Sequence, residues 1–267
     1  MNKLSLVLVA LLGLMPAAAL AHGPNEHPAD PNLHVGTAYD ECYIKFAPDL
    51  TQEAFRRFAR EFGSVSAFKL MSGPRTLGKR GVALGLEQMS FTIEEHADAW
   101  NDTFAHPDAY HELGSDKDIP KLRMTVGVSD RVDVGAYWTK SPQANYGWLG
   151  LDVKYGMLRQ SETMPISLAV RGAYTKTLYV EDMDMHALTA DVSAGRTFWN
   201  VLTPYLGVGS DLVYVRERSD AVDLHNETQW VPGVMAGAEL RLWHVGLGAE
   251  VHRADLTTFQ VQVLAVF

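Results

Sequence analysis

From Arg80 to Phe267 the chain alternates apolar and polar positions in stretches of about ten residues, each closed by a turn. In 121–129, Leu122, Met124, Val126 and Val128 stand opposite Arg123, Thr125 and Gly127. In 131–140, Val132, Val134, Ala136 and Trp138 stand opposite Asp133, Gly135 and Tyr137. The same period of two runs through 146–157, 164–175, 185–198, 202–216, 228–242, 245–253 and 258–267. With 80–92 in front, where Val82, Leu84 and Leu86 alternate, the pattern predicts about ten antiparallel strands. The polar face is rich in glycine and small residues, with isolated charges, whereas the other face carries large aliphatics and aromatics. A soluble sandwich or barrel turns its apolar face inward. The pattern here suits the opposite: an up-and-down barrel with lipid outside and a polar lumen.

The last strand is the most specific. Counting back in twos from Phe267 gives Ala265, Val263, Val261 and Phe259, all apolar. A terminal strand ending in Phe with this alternation resembles the assembly signal of bacterial outer-membrane barrels. That class places the C-terminus on the periplasmic side, which fixes the direction of every strand. The outer connections then fall at 93–119, 141–145, 176–184, 217–227 and 254–257, and the inner turns near 130, 159–162, 199–201 and 243–244. The longest connections lie outside, as such barrels require. Trp138, Tyr174, Tyr214, Trp230 and Phe259 sort to the outer strand ends, and Tyr155, Phe198 and Phe267 to the inner ends, forming two aromatic girdles.

Ahead of the strands the period changes. Phe55, Phe58, Ala59 and Phe62 recur at helical spacing opposite Arg56, Arg57, Arg60 and Glu61, which predicts a helix over 51–63 with Thr51 at its start and Gly63 at its stop. That helix belongs to an N-terminal extension sitting at the periplasmic mouth or plugging the lumen. Strands over 35–46 and 65–71 would raise the count to twelve; ten is preferred because the helix lies between them.

Lys3, the apolar run 4–14 and the small residues ending Ala19-Leu20-Ala21 have the order of a signal peptide cleaved after Ala21. The organisation is therefore 1–21 signal peptide, 22–78 extension and 79–267 barrel. The chain carries a formal charge of −9; losing Lys3 leaves 22 basic residues against 32 acidic ones, or −10. Such an acidic chain lacks the clustered cations that nucleic-acid binding needs. A mean hydropathy of −0.08 excludes a helical membrane protein but not a barrel, whose two faces average out. The lone Cys42 has no partner for an internal disulfide and reads as a buried, inert thiol.

Leu77 through Glu87, Ala99-Trp100, Pro120-Lys121-Leu122, Arg131 through Gly135, Ala169 through Gly172 and Thr203-Pro204-Tyr205 are landmarks that resemble a family of uncharacterised bacterial outer-membrane proteins. The resemblance spans about Phe62 to Gly209 and rests on strand and turn signatures. It implies a fold and carries over no functional residue.

The inward face bears Glu87, Arg123, Asp133, Asp152, Lys154, Arg171, Asp191, Asp211, Glu239, Arg241, Glu250 and His252. Mid-strand charges must face the lumen, because Arg or Lys on the lipid face costs about 2–4 kcal/mol at the midplane. They either pair across neighbouring strands and fill a narrow lumen, or line a permeation path. Eight strands make a barrel that side chains fill, so at about ten a filled or gated lumen is favoured. His22, His27 and His34 in the Pro-rich stretch 22–34 are imidazoles suited to copper, but their spacing matches no closed site. His96, His106 and His111 with Glu94, Glu95 and Asp108 crowd the longest outer loop and read as a solvated cluster. His186, Ser193, Ser210 and His252 are the candidates for a rim hydrolase, and no nucleophile motif surrounds either serine.

The expectation is a monomeric barrel without cofactor, metal or catalysis, acting as a passive or gated pore for small solutes. Its partners would be outer-membrane lipids and, during biogenesis, the barrel-assembly machinery and periplasmic chaperones. The alternatives are a closed structural or surface-interaction barrel and, further off, a lipid-modifying enzyme.

Overall fold

The computed structural model describes residues 35, 39–108, 110–141 and 144–267. The expected signal peptide over 1–21, the stretch 22–34 and its histidines lie outside the described residues.

Ten strands form one closed ring. They are β2 (Val82–Thr92), β4 (Asp116–Gly127), β5 (Val132–Lys140), β6 (Gly147–Leu158), β7 (Ser167–Leu178), β8 (Met183–Gly195), β9 (Leu202–Glu217), β10 (Glu227–Leu242), β11 (Val245–Arg253) and β12 (Thr257–Val266). Each pairs antiparallel with its neighbours in sequence, and β12 closes the ring on β2, from Thr258 opposite Phe91 to Val266 opposite Ala83. Closure removes the exposed sheet edges. The alternation maps onto the wall as expected: Leu122, Leu151, Val153, Leu206 and Val208 are exposed outward, while Glu87, Asp133, Lys154 and Arg171 are buried inward. The girdle residues Trp138, Tyr174, Tyr214, Trp230, Phe259, Tyr155, Phe198 and Phe267 all stand exposed. Trp199 and Trp243, in the turns at the end where Phe267 lies, are the most exposed large hydrophobic side chains among the described residues, at 83% and 98%.

The long connections gather at one end of the ring and the short turns at the other, where β2 begins and Phe267 ends. Two boundaries differ from expectation. β4 begins at Asp116 rather than Lys121, because Ser90 and Thr92 bond Asp118 and Asp116 and carry the ladder past Pro120. The longest connection is thus 93–115, and it is built: α2 (Asp98–Asn101) leads into β3 (Phe104–Ala105), which pairs with β1 (Tyr43–Ile44). The extra strands considered over 35–46 and 65–71 do not join the barrel; the first contributes β1 alone among the described residues.

The predicted helix is α1 (Gln52–Ser66), and Thr51 caps it by accepting the Ala54 N–H at 3.2 Å. It does not stop at Gly63. That glycine is a contact: a Cβ there would fall 2.4 Å from Val213 Cγ1 on β9. The helix runs one turn further, to Ser66, whose hydroxyl bonds the Phe62 and Gly63 carbonyls. Its apolar face, Phe55, Phe58, Ala59 and Phe62, is fully covered, with Phe58 and Phe62 meeting Trp100, Phe104 and Trp148. Its polar face points to the long-loop end, where Arg56 pairs with Glu227, Arg57 with Glu94 and Arg60 with Asp255. The extension is therefore a plug, with α1 a lid under the long loops rather than a helix at the short-turn mouth.

Candidate functional site

Beyond α1 the chain turns extended and runs down the lumen from Ala67 to Gly81, reaching the short-turn end where β2 begins. This strap joins no sheet. Its backbone groups go instead to inward side chains of the wall, which answers where a buried segment's polar groups are satisfied.

Each contact arises from strand parity. Arg171 on β7 donates to the carbonyls of Phe68 (2.7 Å) and Lys69 (3.0 Å), and Arg123 on β4 donates to Lys69 at 3.3 Å. Both guanidiniums also lie over the Phe68 ring, at 5.4 and 4.7 Å. Lys154 on β6 donates to the carbonyls of Gly73 (3.3 Å) and Arg75 (3.0 Å). In the other direction, Glu250 on β11 accepts the Met71 N–H at 3.1 Å and Glu239 on β10 accepts that of Gly73 at 3.2 Å. Asp133 on β5 accepts that of Leu77 at 3.1 Å. Gln262 on β12 donates to the Met71 carbonyl, and Tyr137 donates to that of Ser66 at 2.7 Å. Seven strands thus hold the strap, largely by charge-assisted bonds, which are about twice as strong as neutral ones.

The charges also pair with one another. Arg171 meets Asp191 at 2.5 Å, Lys154 meets Asp133 at 3.4 Å and Lys121 meets Glu87 at 3.2 Å; each pair stands directly across neighbouring strands. Arg123 reaches Glu87 at 3.6 Å, and Arg241 is bonded to Glu239. Lys69, on the strap, lies 3.7 Å from Asp211. Around it a space of about 10 Å³ remains, lined by Phe68, Arg171, Asp191 and His252 among others, which is about the size of one water molecule.

All twelve charged or histidine positions read from the sequence face inward. Eleven are buried; Arg241 is partly open to the short-turn mouth. Lys121 and Lys69 belong with them and were not read. Lys121 shares the parity of Arg123, but the strand start assigned there hid it. Lys69 lies in the extension, where no wall parity applies. Tyr137 and Tyr205 are inward aromatics, and Tyr205 donates to Glu250 at 2.8 Å. The Tyr137 ring occupies the room that Gly150 leaves: a Cβ there would meet Tyr137 Cε1 at 2.0 Å.

The other candidates do not assemble. His186 bonds the outward Tyr174 hydroxyl at 2.6 Å, Ser210 donates to the Val231 carbonyl, and no hydrogen bond joins any two of His186, Ser193, Ser210 and His252. The loop histidines separate: His96 is exposed, His111 meets Glu41 at 3.3 Å, and His106 is buried with its Nδ1 3.1 Å from Cys42 Sγ. Among the described residues no group of three or more His, Cys, Asp or Glu side chains is spaced to hold a metal. Cys42 is buried as expected, and burial pushes its thiol up to about 12. Of the terminal-strand residues, Phe259, Val261 and Phe267 are exposed, Val263 is half-buried and Ala265 is covered.

At the short-turn end the lumen opens into a cavity of about 510 Å³, bounded by the strap at Pro74, Arg75 and Thr76 and by the turns after β6 and β8.

No family model and no curated protein matches the chain. Similar solved structures include an outer membrane channel from Pseudomonas putida F1, with 9% identity, 74% of this chain and 100% of that chain covered, and a TM-score of 0.48. The translocator domain of the autotransporter NalP from Neisseria meningitidis overlaps at 10% identity over 71% of this chain and 88% of that one, with a TM-score of 0.40. The KdgM porin overlaps at 9% identity over 70% of this chain and 99% of that one, with a TM-score of 0.35. Overlap at this level says nothing of cargo or activity. The chain is a closed ten-strand antiparallel barrel with an apolar exterior and a lumen filled by its own N-terminal segment.

Proposed function

We propose that this protein is a monomeric outer-membrane channel for small solutes, exported by a cleaved signal peptide and gated by its N-terminal segment. The observation that carries the reading is the way the strap is held. The wall grips its backbone through charged side chains, so a displaced strap leaves groups that water solvates at once. Buried ion pairs are weak evidence of stability, because apolar packing of the same volume does as well or better. A barrel serving only as a scaffold gains little from so many charges, whereas a hydrated path uses them to select solutes. The exposed apolar exterior and its girdles fit a bilayer of outer-membrane lipids, and the terminal Phe strand fits recognition by the assembly machinery.

A second reading has its own support. The lid is closed by apolar packing, with Phe58 and Phe62 against Trp100 and Trp148. In that reading the barrel is permanently shut and the 93–115 loop is a contact surface. Single-channel recording of the refolded mature protein in a planar bilayer separates them. Discrete steps support the channel; silence with insertion verified supports the shut barrel. Catalysis is no part of either reading: detergent-solubilised phospholipid is expected to survive incubation with the protein, and hydrolysis lost in Ser193→Ala would replace both.

A further inference from the structure

The short-turn mouth carries chemistry that plugging the barrel does not use. Arg75 sits on the strap, half-buried, and its guanidinium makes no hydrogen bond or ion pair with any described residue. Its surroundings do not neutralise it. Arg241 lies close enough to repel it, and the one carboxylate in range, Glu239, is already bonded to Arg241 and to the Gly73 N–H. Burial, then that repulsion, pushes Arg75 below its usual range. Arg159, exposed and lining the same cavity, reaches the Asp130 carbonyl and lies 3.5 Å from Thr76 Oγ1, so a second guanidinium stands at the same opening. The rim is tied in place: Thr197 N donates to Gln160 Oε1 at 2.7 Å and Gln160 Nε2 donates back to the Thr197 carbonyl at 2.9 Å, joining the turns after β6 and β8. One carboxylate, Glu162, stands on the rim.

We propose that this mouth is a binding site for a phosphate-type oxyanion, held between the guanidiniums of Arg75 and Arg159 with the Ser161 hydroxyl of the turn after β6 as a further donor. A planar guanidinium pairs bidentately with phosphate oxygens, and a concave, partly desolvated mouth strengthens that attraction. A volume of about 510 Å³ admits free phosphate or the phosphate group of a larger solute, since small-molecule pockets run from about 300 to 1,000 Å³. The site does not depend on whether the lid ever opens.

The test is calorimetric titration of the refolded full-length mature protein in detergent with inorganic phosphate at constant ionic strength, chloride serving as the control. Glycerol phosphate as a second titrant distinguishes free phosphate from a phosphate-bearing solute: tighter binding of the monoester identifies the latter. Arg75→Gln is expected to weaken phosphate by roughly tenfold or more, the range for losing a charged hydrogen bond, and Arg159→Gln likewise. Glu162→Gln is expected to bind more tightly than the wild type. The Arg75 side chain makes no bond, so replacing it leaves the strap's backbone anchors, the Lys154 bond to the Arg75 carbonyl included, intact, and a retained heat-dependent gel shift verifies the fold. The proposal is overturned if the wild type takes phosphate no better than chloride, or if Arg75→Gln binds as well as the wild type. The titration needs no conductance, so a silent bilayer and a flat isotherm are separate failures.

Discussion

Arg171 on β7 and Asp191 on β8 face each other across one register step, 2.5 Å apart, and Arg171 spends its remaining donors on the Phe68 and Lys69 carbonyls of the strap. One guanidinium therefore joins barrel wall and plug. Removing it leaves a buried carboxylate and the Phe68 carbonyl without partners, and the Lys69 carbonyl with Arg123 alone. Arg171→Met is expected to cost about 3–5 kcal/mol, the usual result of breaking one side of a buried pair. Adding Asp191→Leu is expected to recover part of that loss. The urea midpoint of the heat-modifiable gel band reads both; equal stability of single mutant and wild type would mean the pair is not buried in the folded protein.

Deleting residues 22–77 removes the lid and most of the strap while leaving the ten strands. The expected result is a large, persistent rise in single-channel conductance over the intact protein, with cation or anion preference set by the exposed lumen charges. An unchanged trace would sink the gate.

Gly63 meets β9 too closely for any side chain, since its Cβ would fall 2.4 Å from Val213 Cγ1. Gly63→Ala is expected to destabilise by about 1–3 kcal/mol through overpacking. Val213→Ala in the same chain is expected to return most of that. Additive losses in the double mutant would place the helix elsewhere.

Cys42 lies under the 93–115 connection with its thiol pushed up to about 12 by burial. At pH 8 the folded protein is expected to resist maleimide, and the urea-unfolded chain to react within minutes. The raised value means that the folded state holds the thiol proton more tightly than the unfolded one. That contribution to stability is complete below the unfolded thiol value, about 8.5, and is lost as pH climbs toward about 12. Rapid labelling of folded protein would show that the cap formed by β1 and β3 opens.

The wall was legible because its signal is local. A period of two assigns every side chain to one face, so the twelve inward positions followed from parity without knowledge of any partner. Cross-strand pairs such as Asp133 with Lys154 were legible only as a class, because register depends on turn geometry that alternation does not encode. The strap was not legible. Residues 65–71 were open to a strand reading, but Val65 and Ser66 end α1, and from Ala67 the extended backbone sends its hydrogen bonds to Arg171, Arg123 and Glu250 rather than to a neighbouring strand. Helix and strand periods describe what faces water or fat, and the strap faces neither. The lid position was missed for a related reason: the Phe55, Phe58 and Phe62 stripe states that a face is covered, while Trp100 and Trp148, which cover it, come from distant parts of the chain.

The seam between β2 and β12 sets an order of events. The lid lies at the long-loop end, β2 starts at the opposite end, and the strap between them occupies the axis of the ring. A finished hoop has no room for a helix to be drawn through it afterwards. The wall must therefore curl around a thread already laid down, with the first and last strands meeting at the end. The N-terminal segment is then a stopper laid in before the ring shuts, while strand number and stagger set the circumference.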